Sequence, residues 1–512
     1  MLFISLSLLF IPLAGIQDDE ALFAVPFWES LGRQFEIRAF HHGFPLMLIS
    51  YLGTVKTAIY WILFKFLPPN VWTVRLPMVL AGGLTVFLFY LLAKRVSPFA
   101  ALCGALLLAT DPVFLLTNTF DWGPVALEHL LLVAGCLAAV RFAETKQPKI
   151  LGLSFFLFGL ALWNKALFIW ALSGVTVGAL LTFKDQFRAL LSPRNARIAA
   201  LAFLLGSFPF ILYNIRHSGA TLGENARLDT ESFARKWLQI KNAANGNALF
   251  TFIAEEDYVE PPKPITSGIG RSSLWIHDLL GTRRESGAYY IFGALLVLVP
   301  LWRPSNAARF SLIFLLVAAT MMILTKDAGG SAHHTILLWP FPVMFSAVAL
   351  ARIPWRWLAA LIAVAMVGMN LLVLNQYLYQ MERNGAATNF TDALFPIAQE
   401  LAAFRDRHIY VIDWGIIRSV QLSSRGQFPV RFASDPLMTD TPDEIERTQL
   451  NAMLTDPQGV FVGHVKSREA FVGVGERLAR YAGAHGFRRE VISTITDSNG
   501  RPVFEVFRFE RM

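Results

Sequence analysis

Long apolar runs separated by short polar links fill the chain as far as residue 377, and beyond that point the pattern changes. Apolar segments fall at 1–16, 75–93, 98–116, 124–142, 150–164, 166–183, 198–213, 288–302, 309–325, 334–350 and 357–377. Several are shorter than the roughly 20 residues a straight spanning helix needs. The pattern predicts a polytopic α-helical membrane protein with about 11 transmembrane helices. The segment 1–16 lacks a basic n-region and a small-residue cleavage site, so it reads as a first span in preference to a signal peptide.

From Tyr379 onward charge density rises, and strand-like runs at 408–414, 429–433 and 459–465 alternate with helix-like runs at 392–404 and 467–485. The pair VISTIT and PVFEVFRF flanks Asp497-Ser498-Asn499-Gly500 as the arms of a β-hairpin would. Two domains are therefore expected: 1–377 in the membrane, with outer loops 17–74 and 214–287, and a small α/β domain over 378–512. Fixed-period repeats and low-complexity tracts do not stand out.

Composition agrees. Of 512 residues, 54% are hydrophobic and only 16% charged, against about 25% in a soluble domain. Cys103 and Cys136 both sit in apolar stretches, which offers no disulfide framework or zinc site. The net charge of +8 has a topological cause. Lys94 and Arg95, then Arg141, Lys146 and Lys149, then Lys184, Arg188, Arg194 and Arg197, then Arg303 and Arg309, and finally Arg352 and Arg356 occupy alternate connections. The positive-inside rule makes those links cytoplasmic and puts the tail after residue 377 outside. Nucleic acid is not needed to explain the charge.

Four polar groups then share the outer side. The first is Asp18-Asp19-Glu20, just past the first apolar segment, followed by His41-His42-Gly43-Phe44-Pro45-Leu46. Packed carboxylates raise one another's pKa, so the triplet implies a use or a counter-charge; a solvated helix cap is the plainer alternative. The second is Asp121, in the short link before Pro124, as a functional acid, a helix cap, or both. Glu128 and His129, just after it, read as structural. The third is Asn164-Lys165, where a lone outer lysine opposes the charge bias and is a site candidate unless it snorkels. The fourth is Lys326-Asp327 with His333-His334. Asp413-Trp414-Gly415 reads as a turn. A carboxylate can deprotonate an acceptor while a lysine or histidine neutralises a departing phosphate, the requirements of an inverting glycosyl transfer from a polyprenyl-phosphate sugar.

Asp19-Glu20, the stretch RLPMVLAGGLTVFLFYLLAKR at 75–95, the Asp121 loop and GLALWNKALF at 159–168 occur in an order that resembles the protein O-mannosyltransferase and aminoarabinose transferase superfamily. These are membrane glycosyltransferases of GT-C fold, and the resemblance covers about residues 1–377. It implies a bacterial inner-membrane glycosyltransferase with its C-terminal domain periplasmic, acting on a polyprenyl-phosphate-linked sugar donor and a lipid, glycan or protein acceptor. It assigns Asp19, with Glu20 and Asp121, to catalysis. Lys165, His333 and His334 would bind the donor phosphate, the imidazoles replacing a cation and making activity pH-sensitive. Asp18, His41 and His42 would position donor or acceptor, although His42-Gly43-Phe44-Pro45-Leu46 departs from the family's His/Lys-Pro-Pro-Leu element. No cofactor is certain; a divalent metal is an open option without a full ligand set. A lipid or glycan transporter or flippase and a non-catalytic envelope assembly protein are the other classes. Against transport, the charged candidates gather at the outer ends of spans.

Overall fold

The computed structural model describes the whole chain except residues 27, 29–32, 40, 41, 191, 226, 230, 258–262, 303 and 327, and the side chains of residues 39, 42 and 189. Every apolar segment of the sequence is helical over at least part of its length. Among the described residues, five helices are long and apolar enough to cross a membrane: Val71–Ala93, Val125–Thr145, Pro193–Arg216, Asn306–Leu324 and Arg356–Asn384. Two bent pairs raise that to as many as seven. Leu2–Leu13, Pro148–Asn164, Phe168–Thr182 and Ala288–Val297 are shorter apolar helices. The chain is a multi-pass membrane protein.

Local signals set the helix starts. Asn70 accepts from the Trp72 and Thr73 amides at 2.9 and 3.0 Å, and Ser97, Ser192 and Ser305 cap the helices that follow them. Asp111 interrupts one span, capping Pro112–Thr119 after a bend of 59°. Trp339 lies at the other break, where Ala332–Leu338 meets Phe341–Leu350 at 42°. The Trp339 indole donates to Asp111 Oδ2 at 2.9 Å, so the two breaks are pinned to each other. Helices Pro148–Asn164 and Pro193–Arg216 approach almost backbone to backbone: a Cβ on Gly159 would stand 2.2 Å from the Phe203 carbonyl oxygen, and one on Gly206 2.3 Å from that of Phe156.

The first loop folds. After the short helix Asp18–Leu22, strands β1 (Phe35–Ala39), β2 (His42–Ile49) and β3 (Leu52–Gly53) form an antiparallel sheet with Ile37 opposite Phe44. Beyond it, helix Val55–Leu63 leads back to the bundle. β3 touches the backbone at Lys165, and the Ala166 amide donates to the Tyr51 carbonyl at 2.9 Å.

The 29-residue helix Arg356–Asn384 runs into the C-terminal unit. There, β4 (His408–Val411), β5 (Val430–Phe432), β6 (Gly459–His464), β7 (Phe487–Thr496) and β8 (Pro502–Arg511) build a mixed sheet in the order β5-β4-β6-β8-β7. β4 lies parallel to β5 and β6, and β8 antiparallel to β6 and β7. Alternate residues of β4 and β6 feed two apolar layers. Ile409, Val411, Val460 and Val462 face Leu394, Ile397 and Val420, whereas Tyr410 and Phe461 face Leu450 and Leu478. All three strand-like runs and the hairpin occur; helices Ile417–Ser424 and Glu444–Thr455 lie outside the helix-like runs of the sequence.

Candidate active site

The acidic triplet opens a five-residue helix. Gln17 Oε1 accepts from the Asp19 and Glu20 amides at 2.6 and 3.1 Å, and Glu20 accepts from the Gln17 amide at 3.0 Å. This is a capping box, and a helix N-terminus tolerates carboxylates that would otherwise repel. The three acids then diverge. Glu20 faces inward to a bidentate pair with Arg75, at 2.9 and 2.7 Å, and both side chains are buried. The same guanidinium donates to the carbonyls of Ile11, Ala14 and Gly15, at 2.8, 2.9 and 2.5 Å. Glu20 was expected to be catalytic; with its oxygens engaged by Arg75 and the Gln17 amide, its geometry is that of a structural anchor. Asp18 is also buried, accepting from the Arg418 guanidinium at 2.6 Å and from its amide at 2.9 Å.

Asp19 is left. Arg418 is 3.9 Å away, the one cation within 4.0 Å among the described residues, and 34% of the Asp19 side chain is exposed. Burial on its other sides and the Asp18 charge push Asp19 up to about 6; Arg418, a Gln17 hydrogen bond and Lys165 pull the other way. Burial and the Asp19 charge in turn raise Tyr51.

Asp121 both caps and pairs. Its Oδ1 accepts from the Val125 and Ala126 amides at 2.6 and 3.2 Å, and its Oδ2 lies 3.0 Å from Lys56 Nζ in a pair with 1% exposure on each side. Lys56 also donates to the Asp121 carbonyl and sits over the Phe23 ring at 4.6 Å. Sequence reading missed Lys56, which looks like one cation in an amphipathic stretch; so too Arg75, hidden in an apolar helix. Lys165 does not snorkel. It is buried, donating to the carbonyls of Gly123 at 3.0 Å and His333 at 3.3 Å. Burial holds it down at about 8, with Glu128, Asp121 and Asp19 acting to raise it and Lys56 to lower it. Asp19, Asp121, Lys56 and Lys165 thus share one electrostatic neighbourhood, drawn from four separate parts of the chain.

The histidines differ from expectation. His333 Nδ1 accepts from the Trp122 indole at 2.9 Å, and His334 Nδ1 from the Gly329 amide at 3.2 Å. Rings held by N–H donors at Nδ1 fit neutral imidazoles, which do not replace a cation. His333 instead braces the Asp121 loop, packing so closely that a Cβ on Gly123 would lie 2.6 Å from its ring. Asn164 donates to Glu128 at 2.8 Å and His129 contacts the Ile336 carbonyl at 2.8 Å, the structural parts read for Glu128 and His129. Lys326 is exposed, and its amide donates to the Arg227 carbonyl at 2.7 Å. His41, Asp327 and the His42 side chain lie outside the described residues. Among the described residues, no group of three His, Cys, Asp or Glu side chains is arranged to hold a metal ion.

Residues 54–213 match the family model described as dolichyl-phosphate-mannose-protein mannosyltransferase. The fold as a whole matches the crystal structure of ArnT from Cupriavidus metallidurans bound to undecaprenyl phosphate, with a TM-score of 0.59 at 13% identity over 99% of this chain and 97% of that one. The apo structure of the same protein gives 0.57 at 12% identity with the same coverage. The chain has the GT-C fold. The family match over 54–213 and the shared fold agree with the resemblance read from the sequence. No curated protein sequence matches it. Within this GT-C chain the matched segment carries Lys56, Arg75, Asp121 and Lys165, but the acidic triplet precedes it.

Proposed function

We propose that this GT-C protein is an inverting glycosyltransferase that moves a sugar from a polyprenyl-phosphate donor to an acceptor at the outer face of the bacterial inner membrane. One observation carries the reading: among the described residues, Asp19 alone of the triplet has no cation nearer than 3.9 Å, and it is partly exposed and within electrostatic reach of Lys165. A similar fold binding undecaprenyl phosphate supports a lipid phosphate as the ligand class.

In the reaction, Asp19 takes the proton of an acceptor hydroxyl or amine as that atom attacks the sugar's anomeric carbon. The bond from that carbon to the phosphate oxygen breaks, and polyprenyl phosphate departs with the bond's electron pair. Lys165 gives two of its three N–H groups to carbonyls and, among the described residues, keeps the third to meet the phosphate. Asp121 and Lys56 hold the 121–124 loop that presents the Gly123 carbonyl to Lys165. In this reading eleven helices span the membrane, residues 1–377 form the transferase domain, and residues 378–512 form an α/β domain on the outer side.

The test is transfer from a panel of radiolabelled polyprenyl-phosphate sugars to membrane acceptors by purified protein. Transfer that Asp19→Asn abolishes supports the reading. Failure of every donor with the fold intact overturns it, and lipid movement that survives Asp19→Asn favours a flippase.

A further inference from the structure

The C-terminal unit reaches directly onto the acidic helix. Helix Ile417–Ser424 packs against Asp18–Leu22, with Leu422 in the same apolar cluster as Ala21, Leu22 and Phe23. Ser419 Oγ donates to the Ile16 carbonyl at 2.8 Å, and the Gly15 amide donates to the Phe390 carbonyl at 2.8 Å. Arg418 therefore arrives on a braced element. It holds Asp18 by two hydrogen bonds and leaves the same Nη1 atom 3.9 Å from Asp19.

We propose that Arg418 is a positioning residue for Asp19, so that the C-terminal unit completes the reactive site of the transferase. This rests on the reading of Asp19 as the base. Among the described residues, Asp18 on the same helix, Arg418 from the C-terminal unit, and Tyr51 and Lys165 across the site are the titratable or charged groups that act on Asp19 or feel its charge. Asp18 tethers Arg418, and Arg418 stabilises the ionised form of Asp19. Neither residue needs to touch substrate.

The two charges act on Asp19 with opposite sign, which a purely structural clamp would not reproduce. Full-length Arg418→Met, Arg418→Lys and Asp18→Asn proteins are compared in two ways. One is the acid limb of kcat/KM for sugar transfer. The other is an infrared pH titration of the carboxyl stretch, taken as the difference from Asp19→Asn, which needs no turnover. Arg418→Met should move the Asp19 midpoint up by about one pH unit, Asp18→Asn should move it down, and Arg418→Lys should stay near wild type. An unmoved midpoint in Arg418→Met, or movement of both charge-removing variants in the same direction, overturns the proposal even if thermal stability falls. If no donor supports transfer, the transferase reading fails separately, while the infrared midpoints still decide whether Arg418 governs Asp19.

Discussion

Lys56 and Asp121, 65 positions apart in the chain, close a buried ion pair of 3.0 Å that fixes the link between two helices. Removing one partner of such a pair strands the other charge in the interior, at a cost of about 3–5 kcal/mol. Lys56→Met and Asp121→Asn should each destabilise the protein by about that much in detergent melts. The double variant should recover part of the loss, because no uncompensated charge remains; additive losses would rule out direct coupling.

Transfer should follow a bell-shaped pH profile. Asp19, raised to about 6 by burial and Asp18, is protonated and inactive as a base below that point, so kcat/KM should climb as pH passes through it. Lys165, lowered to about 8 by burial, loses its charge above that point, so the rate should fall again. Asp19→Asn should cut kcat by about 100-fold or more and erase the acid limb. An acid limb that persists in the variant assigns it to another group.

Glu20→Gln and Arg75→Met should act on folding, not on chemistry. The Glu20–Arg75 pair is buried, and Arg75 ties the stretch 11–15 at the end of the first helix to Val71–Ala93 through three backbone carbonyls. Each variant should lose about 3–5 kcal/mol in thermal unfolding, while the folded fraction keeps near-normal kcat. A large kcat loss in well-folded Glu20→Gln protein would return Glu20 to the reaction.

The glycine contacts give a third kind of effect. Gly159→Leu and Gly206→Leu each drive a side chain into the opposite helix's backbone, which cannot yield as a side chain does. Helix separation and a loss of at least about 1–3 kcal/mol are expected, read as lower monodisperse yield and melting temperature. Gly219→Ala, with nothing within 4 Å of its added carbon, strains only the backbone and should leave that helix pair intact.

Much of the fold was legible because membrane helices announce themselves by apolar runs, and because β4, β6 and the β7–β8 hairpin carry strand-like residues between clear turns. The helix Ile417–Ser424 was not: its apolar positions are few and its partner, Asp18–Leu22, lies some 400 residues away. The same limit applies to the site. Asp19, Asp121 and Lys165 stood out as charges in an apolar setting. Sequence alone could not show that Glu20 and Asp18 are already engaged by Arg75 and Arg418, since ion pairing across that distance is a property of the packed chain.

The helix Arg356–Asn384 spans about 43 Å at 1.5 Å per residue, well beyond a hydrocarbon layer of about 30 Å. Its far end is gripped by hydrogen bonds from Gln380 and Asn384 to the Glu255 carbonyl, at 3.0 and 3.1 Å, and from Asn499 and Arg501 to the Asn384 carbonyl, at 2.5 and 2.6 Å. Rotational phase is therefore handed rigidly from one end of the rod to the other. Inserting a single residue midway would turn everything beyond it by about 100° and swing Arg418 off the acidic helix, whereas a flexible tether would have absorbed the change.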